Sequence, residues 1–292
     1  MARRVLVTGA GGFLGQHVVR RLESEPGLEL VVTARRPLGT PHPEIVGDLG
    51  EISDQVRRLA PDSVIHLAAY APKSTEALDA QEVVTSVSGT QALLGSLSPS
   101  ARVVFASSAD VYLPTQDMLN ERSPVGGGGA YGRAKLLCEQ LVIDHARASG
   151  GSYAVLRFGH LTGSGEQVFQ RFVPEALRAL QRGEPPVIFG SGQVLRDLLA
   201  VGDGAEATVR ATVSAEDIGP VNVVRGESRS VAEIVSLIRE LWGPCPEPVL
   251  RNAPEGTSRR FDNQAMRTAL GSWPLLSWTE ALRATVDSMR SP

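Results

Sequence analysis

Three glycines near the start of the chain limit its fold more than any other feature. In Thr8-Gly9-Ala10-Gly11-Gly12-Phe13-Leu14-Gly15 the spacing is G-x-x-G-x-x-G. The run falls between an apolar strand pattern, Arg4 to Thr8, and a helical pattern, Phe13 to Leu22. A strand that turns straight into a helix through glycines needs unusual dihedrals and a backbone that a ligand approaches closely. As the first turn of a βαβ unit, it predicts a pyrophosphate seated on a helix N-terminus, the signature of a dinucleotide site.

The rest of the chain supplies that unit. Strand patterns at Leu28–Thr33, Ser63–His66, Val103–Ala106 and Ser152–Arg157 alternate with helical stretches. The longest of these runs from about Thr75 to Leu97, and a strong one covers Tyr131–Ala148. The rhythm predicts an α/β chain with a Rossmann-type doubly wound parallel sheet. Beyond Gly159 it loosens, with helices expected at about Gln167–Arg182, Val231–Leu241 and Thr279–Met289 and a breaker cluster at Gly243–Pro248. For 292 residues the expected division is an NAD(P)-binding domain over 1–160, also receiving segments from about 190–223. A smaller C-terminal α/β substrate-binding subdomain, discontinuous, takes most of 161–292.

Composition excludes several partners. A net charge of −3 gives no electrostatic reason to expect nucleic acid or an anionic membrane. Basic Arg3-Arg4 precedes an apolar run, but glycines cut it before it reaches signal-peptide length, and no stretch approaches a membrane span. Cys138 and Cys245 form no CxxC, so neither a disulfide framework nor a metal site is expected, and the reducing cytoplasm is the expected location.

The basic residues are skewed. Of 29 Lys+Arg, only Lys73 and Lys135 are lysines. Surface lysines drift readily to arginine, so a surviving lysine marks chemistry that the bulkier, permanently charged arginine cannot do; chance survival is the alternative. Lys135 stands four residues after Tyr131 in a helical pattern, on the same face. A free tyrosine titrates near pH ~10, and a neighbouring ammonium favours its phenolate. Ser108 follows the strand Val103–Ala106, at the carboxyl edge where doubly wound folds bind ligands. Ser108, Tyr131 and Lys135 are therefore the candidate catalytic residues.

The end of the second strand bears on the dinucleotide. It reads Val32-Thr33-Ala34-Arg35-Arg36, with no acid to hold a ribose 2′-hydroxyl. Arg35 and Arg36 suit a 2′-phosphate instead, which favours NADP(H) over NAD(H); two plain surface arginines are the other reading.

Together these residues resemble an extended short-chain dehydrogenase/reductase of the nucleotide-sugar epimerase/dehydratase/ketoreductase superfamily. Thr8–Gly15 is similar to its TGxxGxxG, Gly47-Asp48-Leu49 to its adenine-contacting Asp-Leu, and His66-Leu67-Ala68-Ala69 to its HLAA strand end. Leu156-Arg157-Phe158-Gly159-His160 resembles LRxxN, and Phe189-Gly190-Ser191-Gly192 with Arg196-Asp197-Leu198-Leu199 resembles FGxG…RDxxxV.

The resemblance implies roles. Gly9, Gly12, Phe13, Leu14, Gly15, Arg35, Arg36, Asp48, Leu49, Leu67, Ala68, Ala69 and Phe158 would contact the cofactor, with Tyr131 and Lys135. Lys135 would bind the nicotinamide ribose and lower the Tyr131 pKa, Tyr131 would exchange the proton, and Ser108 would hold the reacting oxygen. Asp110, His160, Arg196 and Arg260 would face the substrate, with Arg251 and Arg259 as alternatives to Arg260.

Departures from the pattern bear on the reaction. Ala109-Asp110 stands where a 4,6-dehydratase has Asp-Glu, which argues against dehydration. Asp110 would hydrogen-bond a sugar hydroxyl or act as an acid or base. His160 replaces an asparagine, Thr162 and Ser164 replace the Tyr and Pro of YGP, and Gly126–Gly129 replaces a proline-containing lead. The expected substrate is a nucleotide-linked sugar and the expected assembly a homodimer. The leading expectation is NADPH-dependent reduction of a nucleotide-linked 4-keto-6-deoxyhexose, with Tyr131 as proton donor. The alternatives are a nucleotide-sugar 4-epimerase and, more distantly, a non-catalytic NADP sensor.

Overall fold

The computed structural model describes residues 2–68, 80–115, 117–127 and 129–290. Ala69, Lys73, Gly128 and the start of the expected 75–97 helix lie outside the described residues. The first half alternates β1 (Arg3–Thr8), α1 (Phe13–Leu22), β2 (Leu28–Ala34), β3 (Glu44–Val46), α2 (Ser53–Leu59), β4 (Ser63–His66), α3 (Ala80–Leu94), β5 (Arg102–Ser108), α4 (Ala130–Ser149) and β6 (Ser152–Phe158). There follow β7 (His160–Thr162), α5 (Phe172–Gln181), β8 (Val187–Phe189), β9 (Leu195–Arg196), β10 (Leu198–Ala200), α6 (Val201–Val213) and β11 (Ile218–Val223). The chain closes with β12 (Arg229–Ser230), α7 (Val231–Trp242), β13 (Val249–Arg251), α8 (Gln264–Leu270) and α9 (Trp278–Arg290).

Seven strands form one parallel sheet in the order β11-β6-β5-β4-β1-β2-β3. Both faces of its centre are covered, which is why Val5, Leu6 and Val7 in β1 are all fully buried rather than alternating. One face packs Val5, Val7, Ile65, Val104 and Leu156 against α1 and α6. The other packs Leu6, Val64, Val103, Phe105 and Val155 against α2, α3 and α4. Strand order reverses between β1 and β4, and a ligand crevice opens outside the carboxyl ends at such a switch point. The glycine turn after β1 and Leu67-Ala68 after β4 flank it.

Between β6 and β11 the chain leaves the sheet, builds β7 to β10, and returns through α6. A second core forms where α5, α7 and α9 bring together Val173, Leu177, Ile234, Ile238, Leu282 and Val286. Ser230 and Glu233 close a capping box that starts α7.

Two helices differ from their sequence-based bounds. The helix expected over about 167–182 is a short 3₁₀ turn at Glu166–Val168 followed by α5 from Phe172. Pro174 explains the later start, because a residue without an N–H is tolerated in a helix only within its first turn. Likewise α3 stops at Leu94, before Gly95. Among the described residues no helix is long and apolar enough to cross a membrane, and no cluster of three His, Cys, Asp or Glu could hold a metal.

Candidate active site

The glycine turn fits a dinucleotide pyrophosphate. Gly9 has φ +69°, and a Cβ there would sit 2.8 Å from the Ala68 nitrogen. At Gly15 a Cβ would lie 2.2 Å from the Gly9 carbonyl oxygen, so only glycine lets the first turn of α1 close onto the loop. Gly11 and Gly12 are exposed beside it, and Gly12 precedes a helix whose first N–H groups have no partner within the helix. That is a cradle for phosphate oxygens. Phe13 and Leu14, both half-buried, are the first helical residues.

Thr8 braces the crevice from below. Its hydroxyl accepts from the Leu67 and Ala68 N–H groups, each at 3.2 Å, and therefore donates to Nδ1 of the buried His66 at 2.9 Å. Thr90 donates to the Ser86 carbonyl, so His66 must donate from Nε2 to Thr90, at 3.0 Å. Burial, with the Lys135 charge nearby, lowers the His66 pKa to about 3, and the ring stays neutral. The tautomer follows from partners on both sides.

Other expected cofactor contacts are more open. Arg35, Arg36 and Asp48 are exposed, Leu49 is half-buried and touches the site of Gly89, and Phe158 is buried. Beyond β2, Leu38 folds back to lie 2.6 Å from where a Gly11 Cβ would be.

Tyr131, Lys135 and Ser108 come together at the carboxyl edge of β5. The Lys135 ammonium donates to the Ala106 carbonyl at 2.7 Å and lies 5.7 Å from the Tyr131 ring centre. Burial lowers its pKa to about 8. Ser108 acts on the Tyr131 phenol from beside it, lowering its pKa, and its Oγ accepts from the Asp110 N–H at 3.1 Å. Burial, then the Asp110 charge, push the phenol up to about 12, against Ser108 and Arg171. The anticipated lowering by Lys135 is not seen; the groups that lower the phenol are Ser108 and Arg171, and desolvation outweighs them.

Gly132 makes this proximity feasible. A Cβ there would fall 2.1 Å from the Asp110 carbonyl oxygen, so α4 rests directly on the turn that follows Ser108.

On the substrate side, Asp110 is half-exposed and 3.3 Å from the Arg259 guanidinium, which also donates to the Ala109 carbonyl at 2.9 Å. Arg196 donates to the Leu195 and Thr257 carbonyls, and its pKa is lowered by burial and by the Arg259 charge. Two guanidiniums sharing one side of the cleft suit an anion such as a diphosphate. The structure brings Arg259 into this group. Arg260 is exposed, and its carbonyl accepts from the Leu119 N–H. Arg251 stacks on Phe189 instead.

His160, on β7, gives its Nε2 side to the carboxylate of Glu166, which is fully buried and also accepts from Thr162. Its ring meets Phe172 edge-on, with centres 5.7 Å apart. Glu166, Arg171 and Gly132 were not singled out as site residues by the sequence, and Arg259 stood there as an alternative to Arg260. Gly132 stands beside the tyrosine and was readable for that reason; Glu166, directly after Gly165, and Arg171, before α5, carried no readable signal.

Comparison with known proteins agrees with this geometry. Residues 5–224 match the family model described as the NAD dependent epimerase/dehydratase family. A UDP-glucose 4-epimerase of Azospirillum brasilense is 32% identical over 273 residues, 82% of this chain and 78% of that protein. A dTDP-glucose 4,6-dehydratase of Streptomyces griseus is 30% identical over 312 residues, covering 98% of this chain and 94% of that protein. Among solved structures, MoeE5 in complex with UDP-glucuronic acid and NAD aligns with a TM-score of 0.86 at 30% identity, covering 98% of this chain and 99% of that one. With the seven-stranded parallel sheet and the glycine turn, these matches show that the chain belongs to the NAD dependent epimerase/dehydratase family, enzymes of the extended short-chain dehydrogenase/reductase type.

Proposed function

We propose that this chain acts on a nucleoside-diphosphate sugar and inverts its C4 centre by oxidation and re-reduction, the 4-epimerase reaction. The observation that carries this reading is the Tyr131 phenol with Ser108 beside it, set on the same edge as the Arg196 and Arg259 guanidiniums. It offers one proton-exchanging group for a sugar hydroxyl and a separate clamp for a diphosphate. A nicotinamide cofactor, when bound at the glycine turn, supplies hydride acceptance and return at the sugar carbon.

Tyr131 exchanges the hydroxyl proton, and Ser108 holds the oxygen while it passes between alcohol and carbonyl. Lys135 places a positive charge beneath the phenol and favours its ionised form as the proton leaves. Asp110 is paired with Arg259 and is the only carboxylate in the segment after Ser108. One of the two acids of a 4,6-dehydratase is thus missing, which supports hydride exchange without loss of water. Retention of Ser108, Tyr131 and Lys135 at one edge of β5 disfavours a purely sensing role.

A second reading rests on Arg35 and Arg36, exposed beyond β2 with Ala34 where an acid would stand. They suit NADP(H), and a dissociable NADPH suits net reduction of a nucleotide-linked 4-keto-6-deoxyhexose. Both readings place a homodimer through α3 and α4, whose outer faces expose Val84 and Leu137.

The experiment supplies nucleotide sugars and nucleotide-linked ketosugars and follows products together with nicotinamide absorbance. C4 isomers formed at constant absorbance support the epimerase. Stoichiometric NADPH loss on the ketosugar, with no isomerisation, replaces it with the reductase.

A further inference from the structure

The buried charges behind the catalytic pair point to a residue that neither the family match nor the reaction explains. Glu139 follows Lys135 by one helical turn on the same face of α4, and both are buried, at 4% and 5% exposure. Its carboxylate accepts from Arg157 Nε at 2.9 Å and Nη2 at 2.8 Å, a two-pronged bond from β6. Ser107, next to the catalytic Ser108 on β5, also donates to it. Arg157 then donates to the Tyr112 hydroxyl at 3.2 Å, and Tyr112 to Asn222 Oδ1 on β11 at 2.6 Å.

Breaking such a fully bonded buried set leaves a bare charge, and sheltering it from water costs more than hydrophobic packing would. Pure stability therefore gives little reason for its presence. Its position gives one. Along α4, Tyr131, Lys135 and Glu139 meet Ser108, the Ala106 carbonyl and Ser107 of β5 in turn.

We propose that Glu139 is a positioning residue, whose carboxylate, pinned by Arg157 and Ser107, is the fixed counter-charge that keeps the buried Lys135 ammonium charged and α4 in register with β5. The other groups around Lys135 are accounted for. On α4 these are Tyr131, a neutral phenol at ordinary pH, and Cys138, which favours the lysine's charge alongside Glu139 but only as a thiolate, a form that burial of its thiol disfavours. From β4 comes neutral His66, and from β5 the Phe105 ring, 5.0 Å from the ammonium. From β6 comes Arg157, a cation, and α3 contributes the uncharged Thr90. Among the described residues Glu139 is therefore the buried anion of this group.

The test exploits the rarity of lysine. With 13Cε-labelled lysine the protein gives resonances from only Lys73 and Lys135, assigned with a Lys73→Arg variant. Lys135 is expected to titrate near pH 8, and in Glu139→Gln its midpoint should fall by roughly one pH unit. At pH 8 the charged fraction would then drop from about a half to about a tenth, a ~5-fold loss in kcat with KM little changed. Glu139→Asp retracts the charge by one methylene and should give an intermediate midpoint and partial rescue. An unchanged Lys135 midpoint in Glu139→Gln overturns the proposal. Should that variant not fold, an unchanged midpoint in Glu139→Asp does the same. The titration needs no substrate, so its outcome is separate from the identity of the reaction.

Discussion

The Lys135 ammonium lies 5.7 Å from the centre of the Tyr131 ring yet spends its 2.7 Å hydrogen bond on the Ala106 carbonyl. The two residues share a helix face, but the lysine is anchored to the strand. Tyr131 is accordingly a protonated phenol across neutral pH, pushed up to about 12 by burial and Asp110. Tyr131→Phe keeps the ring and removes the exchangeable proton. Turnover should fall about 10²–10⁴-fold with the melting temperature nearly unchanged, measured by product formation and calorimetry.

Charge burial at Lys135 also has a stability signature. With its folded pKa at about 8, below the value of 10.5 for a free lysine, the unfolded chain binds more protons between those values. Stability contributed by this group therefore rises with pH across that window, and its cost is fully present below pH 8. Lys135→Met should be inactive yet more stable at pH 7, by about 1–3 kcal/mol in denaturant unfolding. That gain should shrink as the pH approaches 10.

Gly132 supports a steric prediction. Gly132→Ala places a methyl 2.1 Å from a backbone carbonyl oxygen, and no side chain is there to yield. A loss of about 2–4 kcal/mol in unfolding free energy is expected, with activity lost in the folded fraction as well.

The guanidinium pair should be read out by nucleotide affinity alone. Arg259→Ala is expected to weaken UDP binding by about 10–100-fold in calorimetry, with a reduced dependence on salt. Arg260→Ala should bind UDP as the parent does. Equal losses in the two variants would remove Arg259 from the anion site.

Cofactor choice is tested at the end of β2. Replacing Arg35 by Asp should lower affinity for NADPH relative to NADH by about 10-fold or more, followed by nicotinamide fluorescence. An unaltered ratio would leave Arg35 a surface residue.

The legible parts of this chain were those with a short period or a fixed spacing. The glycine turn, the βαβα rhythm and the Tyr131–Lys135 interval are local, so the strands β1, β2, β4, β5 and β6 lie close to where the pattern puts them. The start of α5 was not legible from apolar periodicity, because Pro174 rather than hydrophobicity decides it. Arg259 could not be told from Arg260, since the segment that carries them is irregular and its direction is set by backbone bonds to Leu195 and Leu119. Glu139 left a trace that was readable: an acid eight residues past Tyr131 falls on the face otherwise occupied by Ala134, Cys138 and Val142. A charge on a core face asks for a partner, and Arg157 lay in the next strand.

The excursion between β6 and β11 also matters while the chain is being made. A ribosome adding about 5–20 residues each second needs several seconds to pass from Phe158, where β6 ends, to Ile218, where β11 begins. Until then the outer edge of β6 presents its unpaired peptide groups beside apolar Ala154 and Leu156. A nascent chain in this interval is a template for pairing with its neighbours on a polysome. Native pairing of β6 on that side therefore waits until residues 159–217 have been made and Ile218–Val223 can reach it.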